Sequence, residues 1–259
     1  DEGVRRNQGR PGAADAPDAI RAALGPLAWH LGRSVSDAGD IVAGSAMEDG
    51  QERAGRAVSA LLDAGVLPVV LGGGHETAFA SYLGIAGSAV LSGLRWGVLN
   101  LDAHFDLRDE PVPSSGTPFL QMARAEAAAG RGFHYAVLGI SEPNNTAALF
   151  DTARRLGVDY LPDEDCSAGR AEKFVADFLA DLDAVYLTID LDVLPSSVAP
   201  GVSAPAAFGV PLDVITAVCR QLAASGKLRH LDVAELNPAL DSDGRTAKVA
   251  ARLINTLLR

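Results

Sequence analysis

Thiols are scarce in this chain. Cys166 and Cys219 are the two cysteines among 259 residues, and they do not have the spacing of a metal-binding pair. Both are expected to be ordinary free thiols, which suits a reducing cytoplasm. Clusters of basic residues are missing as well: Lys and Arg are scattered, and net charge is −11. That argues against a nucleic acid or an anionic membrane as partner. No apolar run reaches the roughly 18 residues of a membrane span, and residues 1–12 lack the apolar core of a signal peptide. An initiator Met is also absent, from which we expect the chain to begin partway into its gene product.

What is present is a large apolar fraction, 48%, with aromatics at only 5%. A chain of this length can bury a sizeable core, and α/β proteins of this size are often one domain, expected here over 1–259. Short apolar runs alternate with helix-periodic stretches. Strands are expected at 66–71, 97–101, 135–138, 158–161, 184–189 and 228–233. Helices are expected near 18–24 and at 51–64, 77–83, 118–129, 146–156, 171–182, 212–224 and 245–258, with 31–50 as loop and turn. Strands alternating with helices predict a mostly parallel sheet covered on both faces, a three-layer αβα fold.

The polar residues that break this grammar follow the strands. Asp102-Ala-His104-Phe-Asp106 comes directly after an apolar run. In an extended segment its three polar side chains share one side, and carboxylate plus imidazole suits Mn²⁺ or another first-row divalent ion. His75 follows three glycines, Asp190 and Asp192 follow another apolar run, and Glu235 ends the last strand. Open parallel sheets bind ligands at the carboxyl ends of their strands, so these residues are expected to converge. Adjacent carboxylates facing one space repel each other unless a cation or proton lies between them. Two His and four Asp make a plausible set for two divalent ions. The glycine run matches neither common nucleotide-binding pattern. His30, His134 and His230 lack neighbouring ligand types and are expected to be structural or exposed.

Taken in order, Gly-Gly-Gly-His75, Asp102-Ala-His104-Phe-Asp106, Thr188-Ile-Asp190-Leu-Asp192 and Glu235-Leu-Asn-Pro238 resemble the ureohydrolase superfamily of arginases and agmatinases. The resemblance runs from Gly3 to the last helix. Within it, Asp106-Leu-Arg108, the 114–119 stretch, Asn144-Asn145-Thr146 and Asp190-Leu-Asp-Val-Leu-Pro195 are most similar to the formimidoylglutamase branch. The resemblance implies an arginase-like fold, two Mn²⁺ ions and a homo-oligomer. It implies His75, Asp102, His104, Asp106, Asp190 and Asp192 as metal ligands.

The implied reaction is hydrolysis of N-formimidoyl-L-glutamate to L-glutamate and formamide, by attack of a metal-bridging hydroxide. Glu235 would pair with the protonated amidine and Asp106 would carry a proton. A guanidino hydrolase releasing urea is the alternative, and a metal-binding pseudoenzyme a weaker one. Two departures from the arginase pattern stand out. Ser115 precedes Gly116 where arginases carry a catalytic His, and Arg108 stands where they carry an Asn. A planar guanidinium is the better partner for a carboxylate. The expected substrate contacts are therefore Arg108, Ser115, Asn144, Asn145 and Glu235, with an ion pair to Asp109 or Glu110 as the plain alternative for Arg108.

Overall fold

The computed structural model describes residues 1–28, 30–44 and 46–259. Its elements run α1 (Glu2–Arg6), α2 (Ala16–Leu24), α3 (Met47–Asp63), β1 (Val69–Leu71), α4 (Thr77–Gly87), β2 (Trp96–Leu101) and α5 (Pro118–Ala128). They continue with β3 (Tyr135–Ile140), α6 (Ala147–Leu156), β4 (Asp159–Pro162), α7 (Ala168–Ala180), β5 (Ala184–Asp190), α8 (Leu212–Ala224), β6 (Leu228–Ala234) and α9 (Arg245–Leu257). Most expected elements are present. The strand expected over 66–71 is only three residues long, starting just after Pro68, which has no N–H to give a ladder. Helix α3 starts at Met47, inside the expected loop; the loop's described residues 31–44 and 46 carry no helix or strand, and Ser45 lies outside the described residues. Helix α1 was not anticipated.

The six strands are all parallel, in the order β1-β6-β5-β2-β3-β4. Alternate side chains feed two cores. Leu99, Leu101, Val185, Leu187 and Ile189 pack on one face with Ile20, Val175, Ile215, Leu222 and Ile254 from α2, α7, α8 and α9. Val98, Val137 and Tyr186 pack on the other with Val58, Tyr82, Phe119 and Ala153 from α3 to α6. This is the three-layer arrangement expected from apolar runs alternating with helical stretches. From β2 the chain winds outward through β3 and β4, then returns to place β5 on the other side of β2. The β2/β5 boundary is therefore the switch point, where connections depart in opposite directions and leave a crevice.

Among the described residues no helix is long and apolar enough to cross a membrane. Cys166 and Cys219 are free and buried, with burial pushing both thiols up to about 12. A thiol held neutral in this way is a packing residue and not a nucleophile.

Candidate active site

Asp102 and Asp192 sit just past the ends of β2 and β5, on either side of the switch point, and Asp190 is the last residue of β5. His75 follows β1 and Glu235 follows β6, so the four neighbouring strands β1, β6, β5 and β2 supply the whole cluster.

The local geometry differs from the extended segments expected. Strand β2 stops at Leu101, and Asp102 Oδ1 accepts the N–H of His104 at 2.6 Å. Asp190 Oδ1 likewise accepts the N–H of Asp192 at 2.8 Å, at the head of a 3₁₀ turn, Leu191–Val193. A short carboxylate that captures the N–H two residues on bends the chain. The ligand types are thus brought to one point by turns and not by strand alternation. Asp106 and Glu235 add a second device, with φ of +48° and +67°. Such left-handed backbone is costly for residues other than glycine and concentrates at functional sites.

Nδ1 of His75 lies 3.2 Å from Asp102 Oδ2, 2.9 Å from Asp106 Oδ2 and 3.2 Å from Asp190 Oδ2. Nδ1 of His104 lies 3.0 Å from Asp192 Oδ2 and 3.5 Å from Asp102 Oδ1. Two groups that could each hold an ion result: His75, Asp102 and Asp190, with Asp106 alongside, and Asp102, His104 and Asp192. All but His104 and Asp106 are almost wholly buried.

The electrostatics ask for positive charge. Burial alone would lower the pKa of His75, yet Asp102, Asp106 and Asp190 raise it well above the usual imidazole range. His104 is raised in the same way, by Asp192 and Asp102 against burial. Asp106, Asp190 and Asp192 are raised first by burial, then by neighbouring carboxylates. His75 Nδ1 is buried and makes no hydrogen bond. A buried, orphaned imidazole nitrogen aimed at three carboxylate oxygens fits a divalent cation.

The remaining expected residues lie around this cluster in different roles. Glu235 Oε1 accepts the N–H of His75 at 2.8 Å, and burial, reinforced by Glu76, pushes its carboxyl up to about 8. Arg108 is half exposed, 3.5 Å from Glu110, while Asp109 pairs with Arg124 instead. Ser115 is buried, and its Oγ accepts from Asn7 Nδ2 at 3.0 Å. Asn144 is exposed in a 3₁₀ turn. Asn145 spends its whole amide on backbone: Nδ2 donates to Ala103 O and Ser141 O, both at 2.9 Å, and Oδ1 accepts from Phe105 N at 3.1 Å. It pins the 102–106 loop and has no N–H left for a substrate. His30 is exposed, His134 half-buried and His230 buried, and none of the three belongs to either ligand-type group.

Several participants were missed from the sequence. Asn100 donates to Asp102 Oδ2 at 2.8 Å from within β2, and nothing in the pattern marks it. Residues 3–11 strap the rim: Gly3 N–H donates to Glu76, Arg6 to Pro113 O, Arg10 to Val202 O, and Asn237 donates back to Pro11 O.

A family model described as the arginase family matches residues 3–259. The formimidoylglutamase of Nocardia farcinica is 62% identical over 260 residues, covering 100% of this chain and 83% of that protein. That of Rhodococcus opacus is 58% identical over 263 residues, covering 100% and 82%. Among solved structures, Trypanosoma cruzi formiminoglutamase with Mn2+2 superposes with a TM-score of 0.89 at 27% identity, covering 100% of this chain and 89% of that one. The arginase of Bacillus subtilis shares the fold, with a TM-score of 0.82 at 24% identity over 96% of this chain and 93% of its own. Sequence, fold and the carboxylate–imidazole cluster agree: the chain belongs to the arginase family.

Proposed function

We propose that this protein is a formimidoylglutamase, a hydrolase that cleaves the C–N bond of N-formimidoyl-L-glutamate to give L-glutamate and formamide. The observation that carries this reading is an intact cluster of two His and four Asp in a chain 62% identical to a formimidoylglutamase along its full length. Two Mn²⁺ ions are its cofactor. His75, Asp102, Asp106 and Asp190 would hold one, and Asp102, His104 and Asp192 the other. When bound, the pair supplies a water of lowered pKa and Lewis-acid stabilisation.

The chain's own groups do the rest. Glu235, held by the N–H of His75, pairs with the protonated amidine and orients its carbon. That cation in turn favours the ionised carboxylate against burial. Asp106 takes a proton and returns it to the departing glutamate nitrogen. Arg108 exchanges its exposed pair with Glu110 for a substrate carboxylate, with Ser115 and Asn144 lining the approach. Asn145 acts one step back, by holding the 102–106 loop. A single domain, a homo-oligomer and residence in the cytoplasm belong to the same reading; the continuous sheet supports the first and the two buried thiols the last.

The test is product analysis with Mn²⁺-loaded protein on N-formimidoyl-L-glutamate, agmatine and arginine in parallel. Glutamate and formamide from the first alone are expected. Urea from either of the others would keep the family and overturn the substrate.

A further inference from the structure

Behind His75 lies a second polar group that the mechanism above does not use. Tyr186, Thr188 and Asp190 alternate along one face of β5, and Thr188 is the register partner of Asp232 on β6. Asp232 is wholly buried, and three hydroxyls converge on it. Thr188 donates to Oδ1 at 2.6 Å, while Tyr186, at 2.6 Å, and Ser81 of α4 donate to Oδ2. On its other side, Thr188 Oγ1 lies 2.9 Å from Nε2 of His75.

Proton bookkeeping fixes the direction of this chain. A hydroxyl has one proton and two lone pairs, whereas a carboxylate only accepts. With its proton given to Asp232, Thr188 can only accept from His75, so the imidazole proton sits on Nε2. In the neutral ring that a metal binds, the lone pair of Nδ1 then points at Asp102, Asp106 and Asp190. A ligating imidazole is commonly oriented through its other nitrogen by a carboxylate. Here one hydroxyl is inserted between the two.

We infer that Asp232 and Thr188 are positioning residues that set the tautomer of His75, so that ion binding on the His75 side depends on a relay reaching into the core, while binding on the His104 side does not. The relay rests on the metal assignment made under Proposed function but not on the substrate. Replacing Asp232 with Asn supplies an N–H where an acceptor stood. Thr188 can then turn its own proton towards His75 and drive the imidazole proton to Nδ1, in competition with the ion. Thr188→Val removes the acceptor altogether, and Thr188→Ser keeps it.

The experiment is Mn²⁺ titration followed by electron paramagnetic resonance, which counts free and bound ions and distinguishes spin-coupled pairs from isolated ones. The wild type is measured first, and two coupled ions are expected. A wild type that holds none would sink the metal assignment itself. Asp232→Asn and Thr188→Val are expected to lose about 10–100-fold in affinity for one ion only, replacing the coupled spectrum with that of isolated Mn²⁺. Thr188→Ser should restore both. Tyr186→Phe and Ser81→Ala, which leave the Thr188 bond in place, should lower thermal stability without changing the titration. The relay is overturned if Thr188→Val binds both ions as tightly as the wild type. It is equally overturned if Thr188→Ser is as weak as Thr188→Val, or if folded variants, checked by circular dichroism, lose both ions alike.

Discussion

Nδ1 of His75 and Nδ1 of His104 face different oxygens of one carboxylate, Asp102, at 3.2 and 3.5 Å. The two halves of the site are therefore joined through a single side chain that is fully buried and held from behind by Asn100.

Unequal consequences are expected from removing ligands. Asp102→Ala should abolish binding of both ions, whereas His104→Ala and Asp192→Ala should first weaken the one they touch. All three should abolish metal-dependent turnover. Mn²⁺ titration beside formamide release checks this; tight binding of either ion by Asp102→Ala would contradict the sharing. Chelation of the wild type should lower its melting temperature, since an ion bound only by the folded state stabilises it.

Arg108→Ala should raise KM for N-formimidoyl-L-glutamate by about tenfold or more and leave kcat nearly intact, the signature of lost ground-state binding. The half-exposed pair with Glu110 contributes little to stability, so the melting temperature should hardly move. Unchanged substrate binding would remove Arg108 from the site.

For Glu235 the sign of the pH effect can be worked out. Its carboxyl is pushed up to about 8 from an ordinary value of 4.5, first by burial and then by Glu76. The protonated form is favoured on folding, so this contribution to stability is complete below the unfolded value and lost as pH rises through about 8. Metal-free wild type should therefore lose stability between about pH 5 and 9, and Glu235→Gln should lose less over the same window. The variant should also lose about 100-fold or more in kcat/KM, since in the proposed mechanism it gives up the charge that meets the amidine. Thermal melts of both proteins across that range, run with chelator, make the comparison; parallel curves would contradict it.

Asn145→Ala should cost about 1–3 kcal/mol, because it leaves the Phe105 N–H of a buried loop without a partner and takes one of two donors from each of Ala103 O and Ser141 O. If Asn145 acts by holding the loop, kcat should fall more than KM rises. The reverse pattern would restore it as a substrate contact.

The fold and the carboxylate–imidazole cluster were legible for different reasons. Short, near-continuous apolar runs separated by helical stretches, as at Val98 to Leu101 and Val185 to Ile189, fit a parallel sheet buried on both faces. His75, Asp102, His104, Asp106, Asp190 and Asp192 stood out because polar residues directly after such runs have no packing role. The supporting residues were not legible. Asp232 and Asn100 lie inside strands, where only the three-dimensional neighbour shows what a polar side chain meets. Asn145 read as a surface loop residue because its three partners lie about four and about forty positions away. The bends at 102–104 and 190–192 were read as strand for a similar reason, since an Asp two residues before a free N–H fits either state.

Those bends carry a consequence for how this site can change. At Asp102 and Asp190 one oxygen shapes the backbone while the other faces the imidazole of His75. Fold and coordination are written in the same atoms. Retuning the preferred ion by exchanging either residue for a softer donor such as Cys would remove the turn that aims its neighbours. Drift in metal selectivity is thus closed at these two positions and is left to the other ligands and to the residues standing behind them.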